Sequence, residues 1–124
     1  MRTGISDHPR SFSDEVAAVL GIPKACARIL EVVAAGGRKL SFWEISERAS
    51  MSERSLRSHL GILVKKGILL REVAVTRTRR LAYRYYAAPF CQILGLARSE
   101  MAGRIERLKR LSAEVPTGRR PAVS

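Results

Sequence analysis

Apolar residues recur every three or four positions along most of the chain, a spacing that predicts a mainly helical protein. Ser13 is a candidate N-cap for a short first helix. Gly21 and Pro23 then predict a stop and a restart, and the second helix is expected to end near Ala35. The apolar positions on the inward faces of these two helices are Val16, Val19, Leu20, Ala25, Ile29, Val32 and Val33.

Two further helices follow, separated by a three-residue break. Ser41 and Glu44 have the spacing of a capping box, which predicts a third helix over residues 42–49. Ser52 is the expected cap of a fourth helix over residues 53–66. A pair of helices joined by so short a break is typical of a helix-turn-helix unit.

The spacing changes after the fourth helix. Residues 68–75 and 81–88 are rich in β-branched and aromatic side chains that alternate with polar ones, which predicts two strands of a hairpin. Leu40 is expected to lie in a very short additional strand. Pro89 then opens a long last helix over residues 89–115.

This order of elements predicts a mainly α fold with a small β-hairpin, that is, a winged helix-turn-helix followed by a long C-terminal helix. We expect residues 1–12 to be flexible and residues 13–88 to form the DNA-binding domain. Residues 89–115 are expected to form a dimerisation helix, and residues 116–124 a disordered basic tail.

The charge of the chain is distributed unevenly between its halves. Residues 1–62 contain 9 basic and 7 acidic side chains, whereas residues 63–124 contain 14 basic and 4 acidic ones. This asymmetry indicates a polyanionic partner, either nucleic acid or an anionic membrane, although an Arg-rich soluble surface has the same composition.

Several classes of protein are disfavoured by what the sequence lacks. No uninterrupted apolar run reaches the length of a membrane span, and the start of the chain lacks an apolar signal core, so we expect a cytoplasmic protein that does not enter a membrane. Phosphate-binding loops, paired catalytic carboxylates and nucleophile–histidine arrangements are absent, so we expect no enzyme and no cofactor. We also expect no metal site, since Cys26 and Cys91 are too few for one and His8 and His59 are far apart. Both cysteines are expected to be buried and inert, with a redox role as the alternative.

The fourth helix has two different faces. Leu56, Leu60, Leu63 and Val64 form an apolar stripe. The residues expected to bind DNA are mostly small or basic, and they are Ser52, Arg54, Ser55, Arg57, Ser58, Gly61 and Lys65. An arginine in a major groove can pair with guanine O6 and N7, and the lack of Asn and Gln on this face favours guanine over adenine.

Two alternatives remain open for this face. A glycine inside a helix lowers the stability of the helix by about 1 kcal/mol relative to alanine. Gly61 therefore indicates that something approaches the helix closely there, either DNA or another helix of the protein. Arg54 and Arg57 are expected to contact DNA. The alternative is that they are solvated or pair with Glu53.

The hairpin is a second candidate DNA-binding element. Its basic segment is expected to lie along phosphates or to enter a minor groove, and its candidate residues are Arg77, Thr78, Arg79, Arg80 and Arg84. A charged hairpin is alternatively a device that protects a sheet edge from aggregation. Because the tip has no glycine, it is expected to be long and mobile rather than a two-residue turn. Two of Tyr83, Tyr85 and Tyr86 are expected to pack on the buried face of the hairpin.

The last helix has one continuous apolar stripe. A helix of about 27 residues spans roughly 40 Å, which is longer than one small domain can cover, so we expect a second copy of the chain to pack against it. The expected dimer contacts are Phe90, Leu94, Ala97, Met101, Ile105, Leu108 and Leu111. The alternative is that this helix folds back on the first helix within a monomer.

Residues 41–88 resemble the winged-helix transcription regulators of the MarR, ArsR and TrmB type. The matching segments are 45–49, 51–56 and the junction from Leu63 to Leu69, followed by a basic hairpin that ends at residues 83–87. The hairpin and long helix are also similar to those of small archaeal winged-helix regulators. The resemblance implies a homodimer that binds double-stranded DNA sequence-selectively and has no catalytic activity.

Some points are left open by this resemblance. The Cys-x-Cys pair of ArsR-type metal sensors is absent, and no residue specifies a small-molecule effector. A non-specific architectural DNA-binding protein and a protein-interaction module are alternative functions for the same fold.

Overall fold

The computed structural model describes residues 11–116. Residues 1–10 of the flexible segment expected over residues 1–12, and residues 117–124 of the expected basic tail, lie outside these described residues. The chain forms, in order, α1 Phe12–Leu20, α2 Lys24–Ala35, β1 Leu40–Ser41, α3 Phe42–Ala49, α4 Glu53–Lys65, β2 Leu69–Val75, β3 Leu81–Ala87 and α5 Phe90–Ser112. This is the winged helix-turn-helix with a long C-terminal helix that the hydrophobic pattern predicts.

The helix starts follow from local capping. The capping box predicted at Ser41 is present, because Glu44 N donates to Ser41 Oγ at 3.2 Å and Ser41 N donates to Glu44 Oε1 at 2.9 Å. The Arg38 guanidinium also donates to Glu44, and with the Ser41 hydrogen bond it lowers the pKa of this carboxyl to about 2. The predicted cap of α1 is wrong: Ser11 accepts from Asp14 N, whereas Ser13 lies in the first turn and is buried. The first helix therefore begins before the expected boundary at residue 13.

The predicted hairpin belongs to a three-stranded antiparallel sheet of order β1-β3-β2. Leu40 in β1 pairs with Tyr85 in β3, and β3 pairs with β2 from Leu69↔Ala87 to Val75↔Leu81. The short β1 immediately precedes α3, so its pairing with β3 attaches the hairpin to the helical part of the fold.

The tip of the hairpin is compact, so the expectation of a long tip is wrong. Thr76 N donates to Arg80 O at 2.9 Å, and Arg79 N donates to Thr76 O at 2.9 Å, which leaves three residues at the turn. Arg79 has φ +61°, the left-handed conformation in which glycine usually closes such a turn. The turn therefore forms without glycine by placing an arginine in a strained backbone region.

Replacing this residue by glycine should stabilise the protein. For Arg79→Gly we expect a free energy of unfolding higher by about 0.5–1 kcal/mol, because relief of a left-handed strain of roughly 1–2 kcal/mol exceeds the entropic cost of glycine. Urea unfolding measures the change, and Arg77→Gly is the matched control because Arg77 is not among the residues with positive φ. The explanation fails if the two glycine variants have the same stability.

The core lies between α1–α4, the base of the sheet and the first turns of α5. Its largest fully buried side chains are Ile29, Leu30, Leu40, Ile45, Leu56, Leu63, Ile68, Leu69 and Ile93. Three of the four predicted apolar residues of α4 are buried, and Val64 is partly buried, so this helix is anchored by the expected stripe. The opposite face of α4 consequently points away from the core.

The long helix α5 packs on the domain through a face that the sequence analysis did not identify. Ile93 is fully buried and Leu96 packs against the core, while the rings of Phe12 in α1 and Phe90 in α5 lie 4.8 Å apart. Phe90 belongs to the predicted stripe and contacts α1, but the rest of the stripe takes no part in these contacts. Its members Leu94, Met101, Ile105 and Leu108 are 51–66% exposed in the single chain. Contact between α5 and α1 is therefore real, but it does not cover the stripe.

The two cysteines have different environments. Cys26 is buried as expected, its Sγ lies 3.8 Å from His59 O, and burial raises the pKa of the thiol to about 11. Cys91 is exposed, so the expectation that it is buried is wrong. On this turn of α5 the inward position belongs to Ile93 instead. Within residues 11–116, no helix combines the length and hydrophobicity that crossing a bilayer requires.

Candidate nucleic-acid interface

The helix-turn-helix holds α4 in a defined orientation on α3. Ser50 closes α3 in the left-handed conformation with φ +54°, and Ser46 Oγ donates to Met51 O at 2.8 Å across the turn. Ser52 then caps α4 by accepting from Ser55 N at 3.2 Å. The start of α4 is thus fixed by hydrogen bonds on both sides of the turn.

The residues of α4 that are predicted to bind DNA lie on its outward face or at its N-cap. Ser52, Arg54, Arg57, Ser58, Gly61 and Lys65 are exposed, and Ser55 is partly buried. The structure therefore brings the whole predicted set together on one surface.

The two arginines of this surface differ in their contacts. Arg57 makes an ion pair of 2.7 Å with Glu53, and its guanidinium lies 4.8 Å from the centre of the Phe42 ring. Arg54 makes no hydrogen bond or ion pair with any other residue in the described range. The alternative of pairing with Glu53 therefore applies to Arg57, whereas Arg54 is available to a partner.

Gly61 faces open space. A Cβ added to it would meet no heavy atom within 4 Å. The alternative that this glycine relieves a clash with another helix of the chain is therefore wrong. Within the described part of the chain, no contact at Gly61 compensates for the helix stability that a glycine loses relative to alanine.

The hairpin of β2 and β3, called the wing from here on, has its basic residues in two positions. Arg77, Thr78, Arg79 and Arg80 are exposed together at the tip of the hairpin. Arg84 is exposed too, but it lies within β3 opposite Glu72, which in turn pairs with Lys39 at 2.8 Å. The structure thus does not bring Arg84 into the group at the tip.

The tyrosines of β3 only partly match the expectation. Tyr85 is buried on the inner face of the sheet, but Tyr83 on the same face is 43% exposed. The Arg71 guanidinium covers the Tyr83 ring at 4.2 Å from its centre. Tyr86 lies on the other face near Lys39.

Arg71 is a candidate residue that sequence analysis missed. It lies in β2 directly opposite Tyr85, and with Arg57 it lines a cleft between α4 and the sheet. The strand register is what brings the two arginines to one cleft, and no spacing in the sequence specifies it. The alternation of side chains in β2 predicts that Arg71 lies on the same face as Val73. It does not predict that this face lies near α4.

Comparison with known proteins finds similarity in structure only. No protein-family model and no curated protein sequence matches the chain. A solved structure described as a possible transcriptional regulator from Methanosarcina mazei Go1 is similar over 93% of this chain and 97% of its own, with 15% identity and a TM-score of 0.73.

Two further solved structures are similar. A protein from the thermoacidophilic archaeon Sulfolobus tokodaii matches over 80% of this chain and 92% of its own, with 16% identity and a TM-score of 0.60. A mutant of S. aureus MepR bound to an oligodeoxyribonucleotide matches over 86% of this chain and 75% of its own, with 16% identity and a TM-score of 0.54. Others are described as MarR-family regulators. At these identities the similarity establishes the fold, the winged helix-turn-helix that these proteins share.

Proposed function

We propose that this protein is a homodimeric transcription regulator of the MarR type that binds double-stranded DNA sequence-selectively. The observation that carries the proposal is the exposed, small and basic face of α4, which three buried leucines fix in orientation. The proposed activity is binding without catalysis, on DNA in the cytoplasm. The fold alone does not specify this function, whereas the residues of that face do favour it.

The dimensions of α4 suit a major groove. A B-DNA major groove is about 12 Å wide and admits an α-helix whose side chains on the facing side are short. Ser55, Ser58 and Gly61 keep that side of α4 narrow, and Arg54 near its N-terminus extends beyond them. Because Arg54 has no partner among residues 11–116, its fork of donors is free to pair with guanine O6 and N7.

The wing provides the second contact in this proposal. Three arginines at its tip approach phosphates or a narrow minor groove beside the site that α4 occupies. Arg84 lies in β3, outside the group at the tip, and we assign it a separate contact with the DNA backbone from the side of the hairpin. The compact turn at residues 77–79 limits the backbone conformations from which the arginines at the tip can bind.

The exposed stripe of α5 supports the homodimer. Seven apolar residues on this helix and its end are 44–66% exposed in the single chain, which is unusual for a helix that faces only water. A second copy packed on the same stripe would bury both surfaces. Twofold symmetry would place two α4 helices about 34 Å apart, one DNA turn, on a palindromic site.

Selection of bound duplexes from a random pool at physiological salt tests this function. We expect an enriched motif with twofold symmetry, guanine-rich half-sites and centres about one helical turn apart. A mass measurement on the complex is expected to give two chains per duplex. Similar affinity for all duplexes would instead identify a non-specific architectural protein, and steep salt dependence alone would not distinguish the two.

A further inference from the structure

The cleft between α4 and the sheet has the chemistry of an anion-binding site. It has a volume of about 320 Å³ and is lined by Phe42, Arg57, Leu60, Gly61, Val64, Arg71, Tyr83 and Tyr85. Its charged lining residues are two arginines, and none of its lining residues is acidic. One of its lining residues, Gly61, belongs to the exposed face of α4.

Each arginine of this cleft lies over an aromatic ring. Arg57 lies over Phe42 at 4.8 Å and Arg71 lies over Tyr83 at 4.2 Å, measured from the guanidinium carbon to the ring centre. Stacking occupies the face of a guanidinium and leaves the N–H groups at its edge free to donate. Glu53 uses one nitrogen of Arg57, so Arg71 has more donors available.

Gly61 also lines the cleft and adds no side chain to its wall. The space that a Cβ would occupy there is empty, with no heavy atom within 4 Å. A ligand can therefore approach the backbone of α4 closely at this point. Glycine at such an approach accounts for a residue that otherwise only weakens the helix.

We propose that this cleft binds one phosphate of the DNA backbone, with Arg71 as its principal donor and Arg57 as the second. The inference rests on the proposed function, because a DNA strand bordering the major groove that α4 occupies would pass between α4 and the wing. Phosphodiester chemistry fits the lining, since a planar guanidinium donates two parallel hydrogen bonds to a phosphate. The cleft fixes the position of the strand and reads no bases.

The salt dependence of DNA binding tests the site. For Arg71→Ala we expect a slope of log affinity against log salt that is smaller by about 0.9 for each protomer bound, with equal weakening on selected and unrelated duplexes. Arg110→Ala is the matched control, because it removes the same charge from the last turn of α5. Equal slopes for the two variants overturn the proposal.

A neutral backbone analogue locates the contact on the selected duplex. Methylphosphonate placed at the phosphate facing the cleft should weaken binding of the unmodified protein and add no further loss for Arg71→Ala. The same loss in both proteins, at every position tested, contradicts the site. Inorganic phosphate should bind the free protein only weakly, and tight binding of inorganic phosphate that is lost in Arg71→Ala would assign the cleft to a free phosphate ligand and overturn the assignment to DNA.

Glycine variants test the close approach separately. Gly61→Ala and Gly95→Ala both add a methyl group to a helix at a position with no atom within 4 Å, so both should raise the free energy of unfolding. Only Gly61→Ala should weaken DNA binding. Unchanged affinity for Gly61→Ala contradicts the cleft.

The outcomes also separate this inference from the proposed function. If Arg54→Ala abolishes selectivity while Arg71→Ala matches its control, the regulator stands and the cleft is wrong. If no duplex is preferred, the proposed function fails, and the salt slopes on any duplex still decide the cleft. A protein that binds no DNA overturns both.

Discussion

The double substitution Ile105→Glu with Leu108→Glu should convert the protein from a dimer to a monomer. Both side chains are more than half exposed in the single chain, at 51% and 66%. Burying a Leu or Ile side chain contributes about 1.5–3 kcal/mol, so the loss of two from each copy amounts to on the order of 6 kcal/mol. That loss corresponds to about 10⁴-fold in the dissociation constant, before the cost of placing charges at the interface. Sedimentation equilibrium over a range of protein concentrations measures it.

A charge change on the other side of the same helix is the control for this prediction. Arg110→Glu adds negative charge to the last turn of α5, and helical periodicity places Arg110 on the side opposite Met101. This variant should remain dimeric. If the double variant is also dimeric, or if the unmodified protein is a monomer at high concentration, the role of the stripe is wrong.

Arg54→Ala should cause a large loss of DNA affinity together with a loss of selectivity. One bidentate pairing of arginine with guanine contributes about 1–3 kcal/mol, and a dimer makes two, so we expect affinity to fall by on the order of 10²-fold or more. The loss should be large on the selected duplex and small on unrelated ones. In the selection, the preference for guanine should relax at one position of each half-site. Fluorescence anisotropy at fixed salt measures these affinities.

Two further variants serve as controls for the result with Arg54→Ala. Arg110→Ala removes one charge far from α4 and should leave both affinity and selectivity unchanged. Arg57→Ala should weaken all duplexes alike, because this arginine already pairs with Glu53 and is assigned to the backbone. An equal loss for Arg54→Ala on all duplexes would mean that Arg54 contacts phosphate rather than a base.

The helices were predictable because their signals are local. Ser41 and Glu44 form a capping box through two hydrogen bonds within one turn, and both residues can be identified from their spacing. The leucines of α4 repeat with the period of a helix, so the exposed face opposite them follows directly. The pattern predicts Ser13 as the cap of α1, but the hydrogen bond from Asp14 N to Ser11 Oγ places the cap two residues earlier, and Ser13 is buried in the first turn.

The features that the sequence did not reveal depend on contacts between distant segments. Arg71 reaches the cleft because β2 pairs with β3 in one register, and a shift of one residue would turn its side chain to the other face. On α5 two apolar faces adjoin, so periodicity alone could not assign Ile93 to the core and Met101 to the exposed stripe. The turn at Arg79 was missed because glycine is the usual residue at its left-handed position.

The central claim is that α4 reads guanines from the major groove, and methylation interference on the selected duplex tests it most directly. Methylation of guanine N7 blocks the major-groove edge that Arg54 is expected to contact. We predict that methylation of one guanine in each half-site abolishes binding of the unmodified protein and has little effect on Arg54→Ala. Interference confined to adenine N3, in the minor groove, with none at any guanine N7, would contradict the account.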